Sequence, residues 1–363
     1  MRIVPKDSFT IYENPAPLLV SRQAVFPGLI QFDDGELLAM FSIGQAFDAA
    51  DMLSYTSRSV DGGQSWSSPE PMFRRRPDGR LESESFKPLL LPDGTLIATG
   101  YVFERPDALT PIVNPETFEI LPLRNKVSVS RDRGRTWTEP EVFSVEGKPL
   151  ELSGPAILLA SGRLLAAAAP FHLGKDNHAG WIIASDDGGQ SWQRLSVFYR
   201  SPNGNVAPWE CRLCNLDDEK VAVLFWAYDA ASQCNLTNHI TVSSDGGESF
   251  ELAIATGIKA QASNLLPLGP DRLLSIHCHR ENPVSLTVRV LRMLVGSVAV
   301  ESECALFTGS ALASRTDDIA QQFGSLKFGQ PSLLRVSDNQ VIAAWWQVEN
   351  CQHIIKGRHL VLD

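Results

Sequence analysis

The sequence predicts an all-β chain folded as a six-bladed β-propeller, a single domain over residues 1–363, and three observations carry that prediction. The octet SVDGGQSW at 59–66 returns as SDDGGQSW at 185–192, with looser copies SRDRGRTW at 130–137 and SSDGGESF at 243–250. A pair of apolar runs around a tight turn recurs six times, turning at Asp34-Gly35, Asp93-Gly94, Ser161-Gly162, Asp218-Glu219, Pro270-Asp271 and Asp338-Asn339, with spacings of 59, 68, 57, 52 and 68 residues. Such turns between alternating apolar runs are strong hairpin signals, and the period lies a little above the ~40–50 residues of a propeller blade, which leaves the excess to loops. Almost no stretch has the i, i+3, i+4 apolar spacing of a long helix; SRTDDIAQQFG at 314–324 is the best short candidate.

The first unit shows the pattern: VFPGLIQF, the turn DDG, ELLAMFSI, an alternating segment and then the octet. Units two, three and four repeat it, each with its own octet, and units five and six keep only the hairpin half. About four strands per unit, stacked radially, give the propeller. The last unit has three strands, FGQPSLLRV, QVIAAWWQV and HIIKGRHLVL, while DSFTIYE at the N-terminus is a spare one. The N-terminal strand is therefore expected to close the ring as the outer strand of the last blade, which also removes an exposed edge.

Bulk properties narrow the partners. A formal charge of −10 with pI near 5.3 sets up a field that repels phosphate backbones, and no basic run with interleaved aromatics offsets it, so nucleic acid is excluded. Pro5, Lys6 and Asp7 interrupt any signal-like apolar stretch, and no later run approaches a membrane span, so the expectation is a cytoplasmic chain without a membrane partner. Six cysteines are too few for a disulfide scaffold in 363 residues, and free, mostly buried thiols are expected.

Ser59, Asp61, Gly63, Ser65 and Trp66 follow Ser-x-Asp-x-Gly-x-Ser/Thr-Trp, the pattern called the Asp-box or bacterial neuraminidase repeat. In that turn a short carboxylate accepts backbone N–H bonds, glycine takes a positive φ and the ring packs between blades. The octet is thus read as scaffold, since a catalytic constellation is needed once per site. Four such boxes on six β units resemble the sialidase superfamily. The resemblance implies an aspartate acid/base, a tyrosine nucleophile assisted by a glutamate, and three arginines on the substrate carboxylate.

Each role has a place in this chain. Asp48 falls where the family's acid/base aspartate lies, with Asp51 as second choice and a solvated loop aspartate as the competing reading. Partial desolvation would push its pKa up and suit it to protonating a leaving oxygen. Glu210, opening the fourth blade in PWECRLCNL, takes the glutamate's place; alternation puts it on one face with Arg212 and Cys214, and Cys211 on the other, which splits the apparent Cys-x-x-Cys. A buried ion pair with Arg212 is the competing reading for Glu210.

The departures are at the arginines and the tyrosine. Val25-Phe26-Pro27 stands for the family's Arg-Ile-Pro, with Arg22 three residues earlier; Trp226 stands for the second arginine; Arg280 is the candidate for the third; Gln330 stands for the tyrosine. Without two of three guanidinium forks, bidentate carboxylate recognition is lost, and glutamine cannot attack an anomeric carbon. The sequence therefore predicts a divergent sialidase-like glycoside hydrolase acting on a saccharide, not a true sialidase. Asp48 and Glu210 carry proton transfers, with inversion if the two carboxyls stand well apart. Arg280, Gln330, Gln261, Arg212, Glu84 and Trp226 hold the substrate, with Trp209 and Trp345 as further stacking surfaces and Lys87, Glu151 and Asn264 as other polar blade heads. No cofactor and no metal are expected: His277 and His279 share a strand face but lack an evident third ligand. The alternatives are a non-catalytic carbohydrate-binding propeller and a polysaccharide lyase using that pair or His172 and His178. Nothing in the sequence fixes the sugar, the linkage or the oligomeric state.

Overall fold

The computed structural model describes residues 1–73, 79–117, 119–171, 177–281, 283–309 and 326–363, so the helix candidate at 314–324 and His172 lie outside the described residues. The strands form six antiparallel sheets, one for each hairpin unit, and the chain is a six-bladed propeller as the sequence predicts. The first strand of each unit lies innermost: Gln23–Gln31, Leu81–Leu90, Val206–Asn215, Ser263–Gly269 and Phe328–Ser337. In the third blade that strand is broken into Leu150–Glu151 and Ile157–Leu158, around Ser153, Gly154 and a proline that cannot donate to a ladder.

Ring closure follows the expected route. Ile3–Tyr12 pairs antiparallel with Gln352–Leu362, and Arg2 and Asp363 exchange backbone hydrogen bonds of 2.7 and 2.9 Å. The second strand of the first blade, Leu37–Gly44, is buried at every position, because both faces meet a neighbouring blade. Apolar clusters accordingly sit between blades, for instance Ile97, Phe143, Leu164 and Ile183 between the second and third, and Leu165, Ile182, Val223 and Phe225 between the third and fourth.

The octets serve this packing. Asp61 accepts the Ser59 hydroxyl at 2.7 Å and the Ser65 amide at 3.0 Å, Ser59 Oγ accepts the Gly63 amide at 2.8 Å, and Trp66 Nε1 donates to the Gly63 carbonyl at 3.0 Å. Gly63 has φ 91°, a region a side chain disfavours. Hydrogen bonds from the Ser191 hydroxyl and amide hold the equivalent Asp187 down to about 2. Trp66 and Trp192 then close the seams between their blade and the one before. All six cysteines are free, and Cys211, Cys214 and Cys278 are buried.

Candidate active site

Three innermost strands share one irregularity. Their registers shift between Val25 and Gly28, between Trp209 and Arg212, and between Gly329 and Ser332. Within each shift a non-glycine residue takes a positive φ: Phe26 at 63°, Glu210 at 46° and Gln330 at 34°. A bulge of this kind re-aims a side chain and ends regular pairing, and Pro27 and Pro331, which follow two of the three, have no N–H to lose. All three side chains line one cavity of 750 Å³.

The cavity wall is largely aromatic, with Phe47, Tyr101, Phe103, Phe171, Trp226 and Trp346 prominent, and polar groups gather among Asp48, Glu84, Glu151, Glu210, Arg280 and Gln330. Trp209 stacks on Tyr228 at 4.4 Å and 13°, stands edge-on to Trp226 at 5.0 Å, and Trp226 is fixed by its Nε1 donating to Asn235 Oδ1 at 2.8 Å. An apolar pocket with a few convergent polar groups is the usual form of a small-molecule site.

Glu151 and Glu210 meet in this cavity. The Glu210 amide donates to Glu151 Oε2 at 2.9 Å, and Gln330 Nε2 donates to Glu210 Oε1 at 3.3 Å. Glu210 Oε2 and Gln330 Oε1 are buried with no hydrogen-bond partner among the described residues. Burial pushes the Glu151 carboxyl from 4.5 to about 7, against the Ser153 hydroxyl, which hydrogen-bonds the charged form. Burial and the charges of Glu151 and Glu210 push the Tyr101 phenol up as well. A buried carboxyl that holds its proton to near neutrality is able to donate it.

The structure brings Asp48, Glu210 and Gln330 to the same cavity. Asp48 is engaged there: Arg105 Nη1 donates to its Oδ1 at 2.7 Å and the Ile112 amide to its Oδ2 at 3.1 Å. Glu84 also lines the cavity, with Oε2 accepting the Ser54 amide at 3.1 Å. Arg280 lines it too, anchored by Nε to the Phe328 carbonyl at 3.0 Å and lying over Gly329, where a Cβ would come within contact of Nη2.

Other expected residues sit elsewhere. Gln261 stands behind Arg280, its Oε1 accepting the Arg280 amide at 2.9 Å. Arg212 turns into the narrow axial channel, donating to Ser153 Oγ at 2.8 Å, because the bulge interrupts the alternation that would have put it beside Glu210; no ion pair joins the two among the described residues. Trp345 packs between the fifth and sixth blades, and its neighbour Trp346 takes the place at the cavity. Arg22 lies near the Tyr12 phenol and is not among the residues that line the cavity. Cys211 packs toward the third blade and Cys214 toward the fifth, so the Cys-x-x-Cys is split as expected. The His277 ring nitrogens meet Asn238 and Ser275, and those of His279 meet the Lys259 carbonyl and Arg289.

Sequence reasoning named Glu151 only as one polar blade head among several. Its signal was the parallel between Pro149-Leu150-Glu151 and Pro208-Trp209-Glu210 at the heads of successive blades.

Comparison with known proteins agrees with this architecture. The family model described as a BNR repeat-like domain matches residues 35–298. No curated protein sequence matches the chain. Among solved structures, a Dyadobacter fermentans protein of unknown function is similar at 20% identity and TM-score 0.77, over 99% of both chains. The Hadza microbial sialidase Hz136 is similar at 17% identity and TM-score 0.68, over 97% of this chain and 68% of that one. A Penicillium chrysogenum α-L-arabinanase complexed with arabinobiose is similar at 13% identity and TM-score 0.64, over 98% of both. These likenesses are of fold.

Proposed function

The chain belongs to the BNR repeat-like domain family, and on that premise we propose that it is a glycoside hydrolase in which Glu151 is the proton donor and Glu210 the nucleophile. The observation that carries the reading is the contact of Glu151 Oε2 with the Glu210 amide at 2.9 Å, in an aromatic cavity whose burial pushes Glu151 to about 7. Glu151 delivers its proton to the leaving glycosidic oxygen. Glu210, a cavity-lining residue whose Oε1 accepts from Gln330 Nε2, attacks the anomeric carbon to form a glycosyl ester as the leaving oxygen departs with that proton, and water then hydrolyses the ester. With Glu210 as nucleophile and Glu151 as acid the course is retention, in place of the inversion expected from Asp48 with Glu210. Arg280 and Gln330 hold substrate oxygens, and Trp226 offers a face for a sugar ring. The sialidase and arabinanase among the similar structures support a saccharide as the ligand class.

A second reading keeps Asp48 as donor, supported by its place on the cavity with a side chain 38% exposed. A panel of aryl glycosides, including sialic acid and arabinofuranose derivatives, separates the two. Glu210→Gln is expected to lower kcat by about 10³ or more on any substrate turned over, and Glu151→Gln to fall hardest on poor leaving groups. Full activity in Glu210→Gln overturns both readings; loss in Asp48→Asn with Glu151→Gln unharmed selects the second. An inverted first product refutes the retaining course.

A further inference from the structure

Behind Gln330 the axial channel widens to 100 Å³, enclosed by residues from all six innermost strands, and its charged lining consists of Lys87 and Arg212. Both are 3% exposed. Two cations so deeply buried are costly unless an anion or converging acceptors compensate them.

The protein supplies few acceptors. Lys87 donates to the Phe26 carbonyl and lies 5.8 Å from the Phe26 ring centre, which engages one of its three donors. Arg212 spends Nη1 on Ser153 Oγ and the Cys211 carbonyl at 2.8 and 3.0 Å. Neither makes an ion pair among the described residues. Glu151 and Glu210 face the larger cavity. Asn264, also on the channel wall, gives its amide nitrogen to the Pro331 carbonyl at 3.0 Å.

Glycines bring the cationic stems this close to the axis. A Cβ at Gly28 would lie 2.7 Å from Pro88 Cδ and 3.6 Å from Lys87 Cδ, and one at Gly154 would lie 2.9 Å from the Cys211 carbonyl oxygen and 3.4 Å from Arg212 Cδ.

We propose that the axial channel is a binding site for a small monovalent inorganic anion, held between the Lys87 ammonium and the Arg212 guanidinium beneath Gln330. The chamber exceeds the ~30 Å³ share of one water and suits a halide. Burial and the neighbouring Arg212 charge push the Lys87 ammonium down, against Glu210, and a bound anion opposes that push.

Sodium bromide soaked into wild-type crystals, with data collected at the bromine absorption edge, tests the site without any activity assay. An anomalous peak in the channel touching Lys87 Nζ and Arg212 is expected; channel density without anomalous signal overturns the proposal. In solution, the melting temperature should rise with sodium chloride over sodium gluconate at equal ionic strength. That chloride effect should vanish in Lys87→Met, provided the variant melts cooperatively. Equal melting of the wild type in the two salts counts against the site. Failure here leaves the hydrolase reading standing, because neither measurement involves turnover.

Discussion

Replacing Glu151 by glutamine should change how stability depends on pH, and the direction follows from the burial of that carboxyl. In the unfolded chain it ionises from 4.5, and in the folded chain only near 7. Between those values the folded state binds more protons, so each pH unit costs the wild type about 1.4 kcal/mol of stability. The contribution is fully present below 4.5, is lost through the window up to about 7, and is flat above it. The whole window amounts to about 3 kcal/mol. Glutamine keeps an oxygen to accept the Glu210 amide and has no proton to lose. Urea unfolding of wild type and Glu151→Gln at pH 4.5, 6 and 8, read as the difference between them, cancels the other groups. The variant should gain on the wild type by about 3 kcal/mol from the lowest pH to the highest. Parallel stability curves would refute the buried-acid assignment, and with it the proton donor. On the proposed reading the same proton serves catalysis, so wild-type kcat/KM should fall on the alkaline side of pH 7.

Three further outcomes test the surroundings of the site. Gly329→Ala places a Cβ against Arg280 Nη2, so KM should rise at least about tenfold while the fold loses about 1–3 kcal/mol, measured by steady-state kinetics and denaturation. Asp187→Ala removes an acceptor that binds the Ser191 amide at 2.9 Å and the Ser185 hydroxyl at 2.7 Å; thermal melting should drop while kcat/KM holds, and a matching loss of activity would mean that the octets do more than pack blades. Because Asp187 is held down to about 2, its contribution is present above the ordinary carboxylate range and lost as pH falls through that value. Deleting residues 1–12 bares the edge of Gln352–Leu362, and light scattering should show association that the full chain lacks.

The scaffold was readable because its determinants are local. An octet encodes its turn within eight residues, Asp34-Gly35 encodes a hairpin in two, and the surplus strand at the N-terminus had one sheet short of a partner. The positions of Asp48, Glu210 and Gln330 in their blades bring them to one cavity. What escaped was set by contacts across blades: Arg105 reaches Asp48 over 57 residues and Glu151 meets Glu210 over 59. Strand alternation also failed where it mattered, since the bulge at Glu210 breaks the period of two and sends Arg212 to the channel.

The bulges bear on why glutamine stands at residue 330. A positive φ on a non-glycine residue costs of order 1–3 kcal/mol and persists where the surroundings impose it. Phe26, Glu210 and Gln330 share it, at the heads of three blades, and all three face the cavity. The resemblance to sialidases puts a tyrosine at the last of these positions, attacking while the glutamate assists. Glutamine has no nucleophilic oxygen, but its amide nitrogen donates to Glu210 Oε1 at 3.3 Å and leaves Oε2 buried without a partner among the described residues. Leaving a buried carboxyl oxygen unbonded is expensive, and on the proposed reading the reacting group is Glu210, the glutamate that the resemblance would have only assist. The same proposal draws its proton from Glu151 in the third blade, whereas the resemblance puts the acid on Asp48 in the first.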